Sequence, residues 1–385
     1  MRLNAADYFD LEKYRARLAR NRQAWREFWA GRRQSLAFIP LCAPALCVMY
    51  DVGFDAYYTD LAVMADTQLR GIAWRLENLD EDDLPEAVFL DQATLHEAIA
   101  FNLPVQYRPN SPPWGERLLR DPDEIDRLAP PCLAEGHAAL NETWRRLERL
   151  REMVAGIPVM TSVHLHAPFT MAAQLLGAQE LYVLCLEEPE RAHRLLEFCV
   201  AFFRHFEQVK WQYGLSPEVM DEFVCWREAQ RGLARIWVSD DSAAAVSPDF
   251  YRTHVAPYNR ALFRDFEHVH LHIDSRWDHL LPQVAALEPD FVEVGGETDW
   301  RAAVETLGPR CVLQGGIAGG LALNGSPADC EAAARLALEA AAGRARVVIT
   351  IAQEPHPGTP LENMQAIVGS VRAWQAERPA TGGGL

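Results

Sequence analysis

The chain has 385 residues, 49% of them hydrophobic, and a formal net charge of −17. That composition supplies a large core, and the charge argues against nucleic acid and anionic membrane as partners. The eight cysteines (Cys42, Cys47, Cys132, Cys185, Cys199, Cys225, Cys311, Cys330) are scattered without a CxxC pair, which argues against a disulfide framework or a thiolate zinc cluster and for reduced core thiols.

Taken in chain order, residues 1–36 read as a charged, amphipathic helical extension with no apolar core of the signal-peptide kind. No apolar run is long enough to span a bilayer, so the protein is expected in the cytoplasm. Phe38–Leu46 has a buried-strand pattern. Tyr57–Leu79 carries Leu61, Met64, Ala65, Leu69, Ile72 and Leu76 on one helical stripe. The acidic run Asp80–Asp83 reads as a solvated loop, and Glu86–Leu90 as a short strand. Residues 104–135 form a proline-rich excursion with a short helix from Asp123; a connection that long often carries function, and Trp114 within it reads either as an apolar lid over substrate or as the loop's own core. Helices are expected over Leu140–Val154, from Pro168 to Leu176, and over Glu188–Gly214, with a strand over Ile157–His164.

From residue 157 onward strand and helix alternate with short polar connections. Arg235–Ser239 is a strand. Ser247-Pro248 opens a helical region, with serine as cap and proline at the first helical position. Strands follow at His268–Asp274, Phe291–Val294, Cys311–Gln314 and Val347–Ile351, with helices over Asp278–Leu287, Trp300–Leu307, Pro327–Ala342 and Pro360–Trp374. Residues 377–385 read as a disordered tail. About eight strands separated by helices match one α/β domain, a (β/α)8 TIM-type barrel over residues 37–376. A doubly wound sheet is the alternative, but no GxGxxG follows the first strand.

The stretch Glu267–Asp274, EHVHLHID, places His268, His270, His272 and Asp274 on one face of a strand and Val269, Leu271 and Ile273 on the other. For His268 and His270 a merely solvated polar face is the expectation. His272 and Asp274, at the C-terminal end, are functional candidates, because the active site of a barrel lies at that end of its strands. The other residues there are His164, His166, Asp240, Asp241, Arg276, Glu293, Glu297, Gln314, Gln353, Glu354 and His356. Carboxylates and imidazoles gathered from several strands suit a divalent metal, acid–base chemistry, or both. Asp240 and Asp241 also have a helix-capping alternative, and His356, between prolines, reads as a rigid loop residue.

Several segments resemble the uroporphyrinogen decarboxylase superfamily. HLHAPFTMAAQLLG (His164–Gly177) is similar to its GPFTLA…G segment. WVSDDSAAAVSPDFYRTHVAPY (Trp237–Tyr258) is similar to its D…SP…F…P helix entry, VLQGGI (Val312–Ile317) to its GG(I/N) strand, and PHPGTPLEN (Pro355–Asn363) to its PGTP.EN close. The resemblance runs over about residues 85–374 and implies one (β/α)8 barrel, usually dimeric. Leu271–Ile273 stands where the related corrinoid and coenzyme M methyltransferases carry HxCG. There His272 matches the zinc-binding histidine, Asp274 replaces the first cysteine, and Gln353 falls where the last would be. The decarboxylases' arginine motif is absent, and the corresponding strand reads CAPALCVMYDVGFD.

The resemblance and the residues together imply a metal-dependent methyl, or one-carbon, transferase without the thiolate ligands. Its metal ligands are His272, Asp274 and Glu354. Asp240, Asp241, Glu293 and Arg276 are the catalytic candidates, and His164, His166, Gln314 and Gln353 the substrate-binding ones. Zinc is the first expectation for the divalent metal, with iron or manganese next. A small-molecule substrate, a corrinoid protein as methyl carrier and a homodimer are the expected partners. The alternative is a metal-free decarboxylase or lyase acting on a small carboxylate held by Arg276.

Overall fold

A computed structural model describes residues 2–83, 87–129, 138–161, 165–212, 235–352 and 354–378. Eight parallel strands organise the fold: β1 (Ser35–Ala37), β2 (Val88–Leu90), β3 (Val159–Thr161), β4 (Arg235–Ser239), β5 (His268–Ile273), β6 (Phe291–Val294), β7 (Val312–Ile317) and β8 (Val347–Ile351). Their backbone ladders form two groups, a six-stranded run β4-β5-β6-β7-β8-β1 and the pair β2-β3. The last strand pairs with the first, the neighbour relation of a (β/α)8 ring and not the order of an open doubly wound sheet. Each seam between the groups is crossed by a backbone bond, from Asp82 N to Ala37 O at 2.8 Å and from Ala167 N to Ser239 O at 2.9 Å.

The local reasons are legible. β8, VVITI, is buried at every position, as expected of a parallel strand covered on both faces. On β5, Val269, Leu271 and Ile273 are buried. Ser247 caps the helical region after β4 by accepting from Phe250 N, and Ser326 and Asp329 form a reciprocal capping box ahead of Pro327–Ala341. No single helix among the described residues is long and apolar enough to cross a membrane.

Several expectations are corrected. The first strand is Ser35–Ala37, and Ala43–Met49 is a helix with Pro44 in its first turn. The helix expected over Tyr57–Leu79 is two, Phe54–Thr59 and Leu61–Asn78, broken where the Asp60 carboxylate accepts from Ala62 N and Val63 N. The excursion contains a hairpin, Val105–Arg108 with Ser111–Gly115, and a 3-10 turn at Pro122–Arg127 in place of a helix. Gly315 and Gly316 extend β7 to Ile317, and the last helix runs through Glu377.

Of the acidic run only Asp80 is exposed. Glu81 and Asp82 are 0% exposed and Asp83 is 8% exposed. Arg75 bonds Glu81 and Asp83, and Arg372 bonds Asp82 at 2.6 Å. The same carboxylates accept from the backbone of the first barrel segment, Ala37 N to Asp82 Oδ2 at 2.8 Å and Ile39 N to Glu81 Oε2 at 2.7 Å. The charges fill a barrel seam where backbone donors need acceptors.

The inserts after β1 (residues 43–59) and β2 (residues 91–129) leave the C-terminal ends of their strands and therefore wall the mouth of the barrel. They are joined by Phe54 N to Pro109 O at 3.0 Å. Trp114, on the hairpin, is 58% exposed, so it is not the core of its own loop.

Candidate metal centre

β4, β5 and β6 run side by side, with His272 in register with Ser239 and with Glu293. Alternate residues of β5 point into the barrel, whose interior is packed with side chains. His270 is therefore 5% exposed, not solvated, and its Nε2 makes a close charge contact with Glu293 Oε1 at 2.8 Å. His268, deeper toward the N-terminal face, lies 3.5 Å from Asp290 Oδ1 and lines a cavity there with His270, Trp29, Phe291 and Arg346. Above them Glu293 Oε2 lies 2.7 Å from His272 Nδ1, and Glu293 Oε1 accepts from Trp237 Nε1 at 3.1 Å. Burial works against the Glu293 anion, but His272 and His270 hold its pKa well below the usual carboxylate range. Burial likewise works against a charged His272, and Glu293 and Asp274 outweigh it, raising the imidazole pKa well above its ordinary value.

At the mouth, His272 Nε2 is 2.9 Å from Asp274 Oδ1 and 3.8 Å from Asp241 Oδ1. One ligand atom from each of Asp241, His272 and Asp274 lies within 4.8 Å of the others. Asp241 is fixed by accepting from Asp274 N at 2.8 Å and from the Ser239 hydroxyl. Asp274 Oδ1 is buried and has no aligned hydrogen-bond donor. A buried acceptor left in this way beside an imidazole and a second carboxylate fits a divalent cation. One nitrogen and two carboxylate donors suit zinc, iron or manganese, and the bond from Nδ1 to Glu293 is the outer support such a histidine takes.

The strand end is held in a tight turn. Ser275, just after Asp274, has φ 68°, a left-handed conformation that costs a serine energy. Thr298 Oγ1 donates to Ser275 O at 3.2 Å. A Cβ on Gly295 would overlap the Ser275 carbonyl oxygen and stand 2.9 Å from its nitrogen. Gly295→Ala is thus expected to lower stability by about 1–3 kcal/mol and to weaken metal binding by displacing Asp274. Thermal unfolding and metal titration of the variant check both.

The other candidates are dispersed. Glu354, expected as a ligand, is outside the three-residue group and bonds the Cys42 thiol. Burial, then Asp274 and Asp91, raise its pKa, with the Cys42 bond opposing. Asp241, expected as catalytic, takes the third position instead. Asp240 is 0% exposed behind the strand ends, accepting from Thr170 Oγ1 at 3.1 Å and Asn259 Nδ2 at 2.7 Å, and burial pushes its pKa up to about 7. Arg276 is exposed and ion-paired with Asp278 at 2.6 Å. Gln314 is half-buried beside Glu293 in register, and Glu297 and His356 are exposed. His164 and Gln353 lie outside the described residues. His166 is buried and bonded to Glu97, a residue the sequence reading missed. Asp91 was missed as well. It directly follows β2, receives the Tyr57 hydroxyl at 3.1 Å, and has a pKa raised by burial; an aspartate ending an apolar strand was the available signal.

The comparisons agree with the fold. The chain is 26% identical over 226 residues to the uroporphyrinogen decarboxylase of Salinibacter ruber (strain DSM 13855 / M31), a match spanning 57% of this chain and 58% of the relative's length. A solved methyltransferase from Methanosarcina mazei shares the fold at a TM-score of 0.63 and 18% identity, covering 92% of this chain and 98% of that one. The sequence profile described as Uroporphyrinogen decarboxylase (URO-D) matches residues 51–214 and 224–374, so the chain belongs to the uroporphyrinogen decarboxylase family.

Proposed function

We propose that the protein is a metal-dependent methyl, or one-carbon, transferase whose ion is held by His272, Asp274 and Asp241. The observation that carries the reading is the convergence of those three side chains at the barrel mouth, with Glu293 behind the imidazole. A divalent ion held there would act as a Lewis acid, favouring the deprotonated form of a thiol or oxygen acceptor. Glu293 fixes the ring so that Nε2 faces the carboxylates. Asp241 and Asp274 hold each other through a backbone bond and supply the negative charge that selects a cation. Trp237, 5.4 Å from the His272 ring, and the buried His270 below it keep water out from beneath. The acceptor or donor is a small molecule, a corrinoid protein is the proposed methyl carrier, and the working form is a cytoplasmic homodimer.

A metal-free lyase would need Arg276 to hold a carboxylate and Asp240 or Asp241 to handle a proton. Arg276 is instead tied to Asp278 at the surface, and Asp240 is sealed between Thr170 and Asn259. Elemental analysis of protein purified without added metal is expected to find about one zinc, iron or manganese ion per chain. No bound metal, together with no uptake of any of the three, would remove the reading.

A further inference from the structure

We propose that His166, clamped by Glu97, is the base that takes the proton from the incoming acceptor at this mouth; the inference rests on the methyl-transfer reading above. Both residues are buried, Glu97 at 3% and His166 at 4% exposure. Glu97 Oε1 accepts from the His166 backbone N at 2.9 Å, and both its oxygens lie 2.9 Å from Nδ1. A carboxylate there makes Nδ1 the protonated nitrogen, so the neutral ring presents its lone pair at Nε2. Nε2 has no hydrogen-bond partner among the described residues. Ala167 N donates to Ser239 O, which sets His166 at the strand end next to Ser239 and Asp241, and Ser239 is in turn in register with His272.

The two imidazoles are built alike, each with Nδ1 on a buried glutamate. They differ at Nε2. That of His272 lies within the group with Asp241 and Asp274, and that of His166 does not. A carboxylate-oriented imidazole beside a ligand set, and outside it, is placed for general base work on whatever binds at the open position. Glu97, whose carboxylate hydrogen-bonds only His166 among the described residues, is a positioning residue and stabilises the imidazolium as it forms. In the step, the acceptor's S–H or O–H bond breaks and its proton goes to Nε2. The electron pair stays on sulfur or oxygen and forms the new bond to the methyl carbon. The bond from that carbon to the methyl donor breaks, and its pair leaves with the donor. The charged groups around the ring are Glu97 from the helix His96–Ala100, Asp241 after β4 and His272 on β5, with His96 beyond Glu97. Burial opposes the charged ring, and Glu97 and Asp241 outweigh it, so its pKa is raised.

The test uses the full chain and two variants, His166→Gln and Glu97→Gln. In the metal-free protein, ring nitrogen NMR is expected to show the His166 pKa falling by about one unit or more in Glu97→Gln, a tenfold loss of proton affinity. In the zinc-loaded protein, calorimetry in buffers of different ionisation enthalpy counts protons released when 2-mercaptoethanol binds. His166→Gln is expected to release about one more proton than wild type, with zinc affinity unchanged. Equal proton release, or a zinc affinity more than about tenfold weaker in His166→Gln, overturns the inference, the latter by making His166 a ligand. If wild type binds no zinc, the metal reading fails on its own. The dyad is then decided by the ring titration, and it falls if Glu97→Gln leaves the His166 pKa in place.

Discussion

Arg75→Met will lower the stability of the chain by about 3–5 kcal/mol, read as a lower midpoint in urea unfolding. The side chains of Arg75, Glu81 and Asp83 are 12%, 0% and 11% exposed. Methionine keeps most of the volume, so the loss is the cost of stranding two buried carboxylates rather than of a cavity. Glu81 holds the first barrel seam through Ile39 N, and its neighbour Asp82 does so through Ala37 N, so solvating Glu81 would require opening the seam. The pH dependence follows in sign. Burial already raises the Glu81 pKa to about 7 against the pull of Arg75, and removing the guanidinium raises it further. Such a group contributes stability at low pH that is lost as pH rises through the folded pKa. The deficit of Arg75→Met is therefore expected to be smaller at about pH 5 than at about pH 8. A deficit below about 1 kcal/mol, or one indifferent to pH, would show that the acidic run carries no such role.

That network was illegible in the sequence for a physical reason. A run of acids reads as solvated because its neutralising partner is not local, and Arg372 lies 290 positions from Asp82. The same holds for Glu97, which meets His166 across 69 positions and looks like any helix glutamate until the fold brings them together. By contrast His272 and Asp274 were legible because strand periodicity is local, and two-residue spacing alone puts them on one face. The strands over Arg235–Ser239, Phe291–Val294 and Val347–Ile351 were legible for the same reason. Periodicity did not say what the face would meet, so His270 read as solvated although the ring places it inside. The third ligand position was likewise undetermined. Asp241 and Glu354 both follow barrel strands, and the turn after β4, pinned by Asp274 N, brings Asp241 rather than Glu354 into the group with His272 and Asp274.

Glu293→Gln will weaken metal binding about 10–100-fold, and His272→Ala will weaken it further, because on the proposed reading the first removes a support and the second a ligand. Glu293 shares its two oxygens among Trp237, His270 and His272. A glutamine offers one acceptor oxygen and an NH2 that cannot accept. Whichever way the amide turns, either Trp237 or His272 faces a donor. If His272 is the loser, Nδ1 no longer fixes the tautomer and Nε2 is no longer reserved for the ion. The loss of negative charge also removes the term that makes the imidazole a stronger donor. Competition with a chromophoric chelator reads the affinities, and circular dichroism of each variant separates loss of the site from loss of the fold. Glu293→Gln with wild-type affinity would mean that the glutamate serves only the barrel interior. His272→Ala with wild-type affinity would place the ion elsewhere and break the link between β5 and the chemistry.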